Sequence, residues 1–127
     1  MSIPAQRAAV VKALKAGGAK PRKGRLRLAA GELFWYLDTR VVGLGASATL
    51  ALEVGCWTPD LPPEPEGGAV DCPLLFDVAV ADPAADVRAL LDRLRGIGDL
   101  DALGARLPEL PGALVDAPLR ELLRTSG

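Results

Sequence analysis

Apolar residues follow two different spacings along this chain, helical at both ends and strand-like between them. Near the N-terminus, Val10 and Leu14 recur at a helical interval within an alanine-rich stretch. Ser2 can cap this stretch at its start, and a pair of glycines can end it. The pattern predicts a helix from Ala5 to Ala16.

Between residues 25 and 80, apolar and polar side chains alternate in segments that glycine-rich turns separate. This alternation predicts four strands, and strands so close in sequence tend to pair with their neighbours in an antiparallel meander. The predicted strands are Arg25–Leu28, Leu33–Val42, Ser47–Cys56 and Pro73–Val80. The segment from Lys20 to Gly24, just before the first of them, is predicted to be a basic turn.

After residue 82 the spacing becomes helical again. Asp82 followed by Pro83 is a typical helix start, and apolar residues from position 87 to 94 fall on one helical face. Shorter helices are predicted after Asp99 and Asp116, so that the C-terminal helical segment covers 82–124. The predicted fold class is α+β: an N-terminal helix, a four-stranded antiparallel meander and C-terminal helices packed on one sheet face, in one domain of residues 1–127.

Residues 58–71 are acidic and rich in proline, which predicts an extended loop outside any strand or helix. Cys56 and Cys72 lie on either side of this loop, so a disulfide across it is geometrically feasible. In a reducing cytosol we expect two free, half-buried thiols instead.

The net charge of −1 hides a strong asymmetry between two parts of the chain. Residues 1–31 hold eight of the 15 basic residues and none of the 16 acidic ones, so the split is +8 against −9. Two interpretations are open: the oppositely charged parts satisfy each other within one domain, or the basic part docks phosphate or an acidic protein. Asp38 and Glu53, inside strands, could pair with Arg25, Arg27 or Arg40 across the sheet.

The chain has no histidine, which excludes Ser-His-Asp and Cys-His nucleophile systems and imidazole acid–base chemistry. Two cysteines are too few for a four-cysteine metal site, and capping explains the aspartates at helix starts. We therefore expect no enzymatic activity, no metal and no cofactor. Without a signal-peptide pattern or a long apolar stretch, we expect a cytoplasmic protein that does not bind membranes.

A basic stretch lies beside the aromatic residues of the second predicted strand, and both provide the candidates for partner binding. The candidates are Lys20, Arg22, Lys23, Arg25, Arg27, Trp35, Tyr36 and Trp57. The basic residues would steer a charged partner and an aromatic side chain would anchor it. Three consecutive aromatics must occupy both faces of a strand, so at least one is exposed or covered by another element. A purely structural role for the aromatics, in the core and its cover, is the alternative.

From residue 5 to about residue 94, the order of elements and two short motifs resemble a known group of proteins. The motifs are the Gly18–Gly24 segment leading into the Arg25–Leu28 strand, and the Leu50–Gly55 strand that follows an aromatic strand. The group comprises small bacterial α+β domains of uncharacterised function, some of which look like immunity proteins of polymorphic toxin systems. The alanine-, glycine- and arginine-rich composition also suggests a bacterial source. The resemblance implies a binding module.

The function predicted from sequence is therefore non-catalytic protein binding, of an immunity or regulatory type, directed at a charged partner protein. The alternative is a nucleic-acid-binding domain that uses the basic N-terminal helix, turn and strand with the nearby aromatics. The many acidic residues elsewhere would repel a duplex, which favours the protein partner. A homodimer formed through an open sheet face or edge is also consistent with the predicted fold.

Overall fold

Six antiparallel strands form one sheet in sequence order in the computed structural model, which describes residues 2–110 and 112–126. The strands are β1 (Lys20–Arg22), β2 (Arg25–Ala30), β3 (Leu33–Val42), β4 (Thr49–Trp57), β5 (Leu74–Ala79) and β6 (Leu114–Val115). The helices are α1 (Ile3–Ala16), α2 (Pro83–Arg95), α3 (Leu100–Arg106) and α4 (Ala117–Ser126). The predicted α+β class and antiparallel meander are confirmed.

The prediction of four strands is wrong, because the two edge strands of the sheet carry no alternating pattern. The segment predicted as a basic turn pairs with β2 as β1, with Pro21 opposite Leu26. The turn itself shrinks to Lys23 and Gly24, which both have positive φ angles (49° and 79°). At the other edge, β6 is only two residues long and interrupts the predicted C-terminal helical segment. Proline is tolerated in β1 because an edge strand can do without one N–H.

Local capping fixes the ends of the helices much as the sequence indicates. The hydroxyl of Ser2 accepts a hydrogen bond from the Ala5 amide (3.2 Å), and α1 ends before Gly18, whose φ of 106° is left-handed. The carboxylate of Asp82 accepts from the Ala85 amide at the start of α2 (3.4 Å). Serine and aspartate are favoured at this position because they satisfy an amide that the helix leaves unpaired.

One face of the sheet, here called the helix face, packs against the helices and holds the main core. Trp35 of β3 and Val54 of β4 are fully buried there, together with Leu91 of α2. The helix α1 lies alongside α2 in this layer, and leucines of α3 and α4 extend the same core. No helix in the described ranges is both long and apolar enough to span a membrane.

The opposite face of the sheet is covered by a largely irregular segment that connects β4 to β5. Residues 58–73, here called the strap, run from the end of β4 to the start of β5 and include a short 3₁₀ turn at Ala69–Asp71. This turn contacts both β3 and β4. The strap contains the acidic loop predicted from sequence, and the face that it covers is here called the strap face.

The charged strap face as a candidate functional site

The strap face gathers polar side chains from three consecutive strands. Arg27 of β2 lies opposite Tyr36 of β3, and Arg25 is next to the register position of Asp38. Arg22 of β1 is paired with Arg25. Because side chains alternate along each strand, these five residues project from the same face of the sheet.

Glu64 of the strap sits at the centre of this group. Its carboxylate accepts hydrogen bonds from Arg27 (2.6 Å) and from the hydroxyl of Tyr36, and lies 3.0 Å from Nε of Arg22. Arg22 also donates to the hydroxyl of Tyr36 (3.0 Å) and to the carbonyl of Pro65 (3.2 Å). The Glu64 side chain is only 16% exposed, so the pairs it makes are shielded from most of the solvent.

The pKa values of Tyr36 and Glu64 are shifted in opposite directions. Burial and, after it, the hydrogen bond and the charge of Glu64 together raise the pKa of Tyr36 to about 12, against the opposing effect of Arg22. Burial also tends to raise the pKa of Glu64, but the hydrogen bonds from Tyr36 and Arg27 and the charges of both arginines lower it on balance. At neutral pH the cluster thus holds an anionic carboxylate beside a neutral phenol.

The second attachment of the strap to the sheet is at its 3₁₀ turn. The amide of Ala69 donates to the Asp38 carboxylate at 2.8 Å. Gly55 of β4 faces the same turn, and a Cβ placed on Gly55 would lie 2.6 Å from the carbonyl oxygen of Ala69. Only glycine at this position lets the strap approach the sheet so closely.

More exposed ion pairs surround this buried cluster. Lys23 pairs with Glu66 at the surface, and Arg25 lies 3.7 Å from Asp38. Arg40 contacts Asp77 (2.5 Å) and Glu53 (3.9 Å). The predicted cross-sheet pairing of Asp38 and Glu53 with arginines is confirmed. Of the two interpretations of the charge asymmetry, internal pairing describes Arg22, Lys23, Arg25 and Arg27.

The three candidate aromatic residues are all buried. Trp35 lies in the core, edge-on to Phe76, and its indole N–H has no hydrogen-bond partner in the described part of the chain. Tyr36 lies beneath the strap with no exposed surface. Trp57 is 7% exposed and donates to the Leu61 carbonyl (2.8 Å) at the start of the strap. At least one of the three consecutive aromatic residues was expected to be exposed or covered by another element. This expectation is confirmed, because the strap covers Tyr36.

Four basic residues near the start of the chain differ from those that pair with carboxylates. Arg7, Lys12 and Lys15 of α1 and Lys20 of β1 are exposed, and none forms an ion pair with a residue that the structure describes. Lys15 and Pro21 line the same shallow groove of about 290 Å³ between α1 and the β1–β2 hairpin. Of the candidate basic residues, Lys20 is therefore the one that internal pairing leaves available.

The two cysteines are free thiols, as expected, but only Cys72 is half-buried, because Cys56 lies fully within the core. Burial raises the pKa of Cys72 to about 12, with nearby carboxylates adding to the effect, and raises that of the buried Cys56 well above its ordinary value. Both are therefore protonated at neutral pH and are poor nucleophiles. Among the described residues, no three Cys, Asp or Glu side chains are grouped so that they could hold a metal ion.

Sequence reasoning missed the exposed apolar side chains. Val41 and Val42 (41% and 42% exposed) and Leu44 (89%) cluster at the β3–β4 turn. Val70 of the strap (55%) and Leu114 of β6 (69%) line a second groove, of about 350 Å³. Alternation at the end of β3 predicts only that one of the two valines is exposed, and nothing in the sequence indicates that the strap would bring Val70 beside Leu114.

Comparison with known proteins identifies no relative of this chain. No family model matches the sequence, no curated protein is significantly similar to it, and no solved structure matches its fold.

Proposed function

We propose that this protein is a non-catalytic protein-binding module that docks an acidic partner on the exposed basic surface of α1 and β1. The observation that carries the proposal is the division among the N-terminal basic residues. Arg22, Lys23, Arg25 and Arg27 are paired with carboxylates of the same chain. Arg7, Lys12, Lys15 and Lys20 are instead exposed, and none has a carboxylate partner among the described residues. An immunity-type or regulatory role is the concrete form of this function.

Electrostatic steering supports a role for these four basic residues. A concentration of one charge sign on a surface accelerates encounters with a partner of the opposite sign and discriminates against the wrong partners. Arg7, Lys12 and Lys15 fall within one broad arc of α1, and the groove shared by Lys15 and Pro21 connects that helix to the β1 edge. The pairing of Arg22 and Arg27 with Glu64 makes these two arginines supports of the strap rather than primary docking residues.

A protein partner is favoured over nucleic acid by the positions of the aromatic and apolar side chains. Binding of single strands relies on exposed aromatic side chains on which bases stack, but Trp35, Tyr36 and Trp57 are buried. The exposed large hydrophobic side chains are instead aliphatic, as at Leu44 and Leu114. Exposed aliphatic side chains supply the dehydrated contacts typical of protein interfaces, whereas nucleic-acid interfaces are more polar.

A comparison of the binding of two polyanions, a peptide and an oligonucleotide, tests the proposal. Binding of a fluorescent poly-glutamate peptide is measured at about 50 mM salt beside a single-stranded oligonucleotide of equal net charge. We expect the peptide to bind, and its affinity to fall at least tenfold when Lys15→Glu and Lys20→Glu are combined. The matched control combines Arg120→Glu with Arg124→Glu, which reverses the same number of exposed charges on α4 and should leave peptide affinity within twofold of wild type.

Two outcomes would overturn the proposal. Absence of poly-glutamate binding, or equal affinity in the Lys15→Glu, Lys20→Glu variant, removes the basic docking surface. Tighter binding of the oligonucleotide than of the peptide, with affinity falling steeply as salt increases, would establish the nucleic-acid alternative in its place.

A further inference from the structure

Among the residues that the structure describes, no strand lies beside half of the outer edge of β5. Along its inner edge, β5 pairs with β4 over its whole length, from Leu74 to Ala79. Along its outer edge, the pairing with β6 involves only Leu74 and Leu75. The second half of β5 is therefore an open sheet edge within the part of the chain that the structure describes.

Two hydrogen bonds at the ends of β5 show which backbone groups face this open edge. The amide of Val80 donates to Leu50 of β4 (3.4 Å), and the carbonyl of Pro73 accepts from Asp116, next to β6 (2.8 Å). In an antiparallel ladder the direction alternates with each residue. The N–H and C=O groups of Asp77 and Ala79 thus point outward, and among the described residues no strand pairs with them.

The two edges of the sheet differ in how well they are protected against pairing. At the β1 edge, Pro21 occupies the central position and Lys20 flanks it, which are two common ways to blunt an edge strand. The open half of β5 contains neither proline nor lysine, and carries Val78 at its middle. An edge left open in this way is a template for another strand.

A groove beside this edge is lined by α2. It has a volume of about 180 Å³ and brings Val78 together with Ala89 and Leu90. Asp86 and Arg93 line its two ends along the helix, so acidic, small and basic side chains follow one another at helical spacing. This row of side chains has an acidic residue at one end and a basic residue at the other, with Ala89 and Leu90 at its centre.

We propose that the open half of β5 pairs with the same segment of a second copy of this chain, about a two-fold axis at Val78. Asp77 of one copy then lies opposite Ala79 of the other, and the outward amides and carbonyls of both residues are hydrogen-bonded. The two Val78 side chains meet at the axis on the helix face. Neither Asp77 carboxylate lies directly opposite its counterpart, so the arrangement avoids a like-charge pair.

The helix beside the strand makes a second copy a better occupant than an unrelated peptide. A two-fold axis at Val78 runs the two α2 helices in opposite directions and places Asp86 of one copy near Arg93 of the other, twice. Backbone hydrogen bonds from Asp82 and Ala81 lower the pKa of Asp86, which keeps it anionic. Ala89, at the middle of this row of side chains, lets the helices approach. This pairing leaves the basic surface of α1 and β1 free, because β1 forms the opposite edge of the sheet.

Sedimentation equilibrium over a range of protein concentrations tests the pairing, together with amide hydrogen exchange. For the wild type we expect a monomer–dimer equilibrium in which the Asp77 and Ala79 amides become protected as concentration increases. Ala79→Pro removes an outward N–H but no bond to β4, and Arg93→Glu places like charges opposite each other. Each should weaken the dimer at least tenfold, whereas Arg88→Glu, the same change elsewhere on α2, should not.

The hydrogen-exchange measurement uses the wild type and does not require any variant to fold. A wild type that stays monomeric up to a protein concentration of about 1 mM would refute the pairing through β5. A dimer in which the Asp77 and Ala79 amides exchange freely, or one that Ala79→Pro and Arg93→Glu leave intact, would show that another surface forms the interface.

Discussion

Arg27 and Glu64 lie 37 positions apart in the sequence, and their side chains meet at 2.6 Å. This contact joins the basic strand β2 to the acidic strap across the strap face. With Arg22 and Tyr36 on the same carboxylate, it fixes the middle of a segment whose prolines exclude regular secondary structure. The position of the middle of the strap therefore depends on one partly buried carboxylate.

Glu64→Gln should destabilise the fold by about 2 kcal/mol, because it removes the charge that two partly buried arginines share. The change conserves shape, so the loss reports on charge and hydrogen bonding rather than on packing. Urea denaturation followed by tryptophan fluorescence measures it. The control is Glu66→Gln, which affects the exposed pair with Lys23 and should leave the unfolding midpoint unchanged. Equal effects of the two substitutions would contradict a special role for Glu64.

The contribution of Glu64 to stability should disappear in acid. Folding lowers the pKa of this carboxyl below the unfolded value of about 4.3, so the stabilisation is fully present above that pH. It is lost as the pH falls through the folded-state pKa. The difference in unfolding free energy between wild type and Glu64→Gln should therefore shrink steadily below about pH 4. A difference that stays constant with pH would show that the carboxylate charge is not responsible.

Tyr36 is the only tyrosine in the chain, so its ionisation can be followed directly by ultraviolet absorbance. The folded protein should titrate with a pKa of about 12. In Glu64→Gln we expect a lower value, nearer the ordinary value of about 10, because a neutral amide replaces the carboxylate. Since the folded-state pKa is raised, the linked stability is present below about pH 10 and is lost towards the folded-state value. An unchanged titration in the variant would show that Glu64 does not raise the pKa of Tyr36.

Gly55→Ala should lift the strap from the sheet. The added methyl would lie 2.6 Å from the Ala69 carbonyl oxygen and 2.8 Å from its Cα, so backbone must move. We expect a loss of about 1–3 kcal/mol in unfolding free energy. Gly104→Ala, in α3, meets only a Leu123 methyl at 3.9 Å and should stabilise by up to about 1 kcal/mol. If Gly55→Ala leaves the unfolding free energy unchanged, the strap does not pack closely against β4 at this position.

Cys72 provides a reporter of the strap. Its thiol is half-buried beside the Gly68 carbonyl, and its raised pKa makes it slow to react with alkylating reagents. In Gly55→Ala we expect Cys72 to be modified faster, while Cys56, buried in the core, remains slow. Mass spectrometry of the single-cysteine variants Cys56→Ala and Cys72→Ala assigns the rates. Parallel acceleration of both thiols would indicate global unfolding instead.

The long elements of the fold could be predicted from sequence because their residues repeat a clear period. Val10 and Leu14 mark α1, and the alternation around Leu52 and Val54 marks β4. The edge strands could not, because two or three residues show no period and the pairing of Pro21 with Leu26 is visible only in the assembled sheet.

The candidate site was predictable in composition but not in arrangement. The sequence indicates that Arg27 and Glu64 have opposite charges, but not that they contact each other rather than a partner, since that depends on the path of the strap. The signal that could have revealed the path is Gly55, a glycine in the middle of an otherwise well-patterned strand. Such a glycine often marks close approach of another backbone segment.

The proline in β1 has a consequence for how far copies of this chain could assemble. A sheet with two open edges can add copies without limit and form fibres. Here Pro21 and Lys20 close one edge, so pairing through β5 would join two sheets of six strands and leave a blunt β1 at each end. Growth would stop at two copies, and replacing Pro21 with a residue that can donate an N–H would remove one barrier to polymerisation.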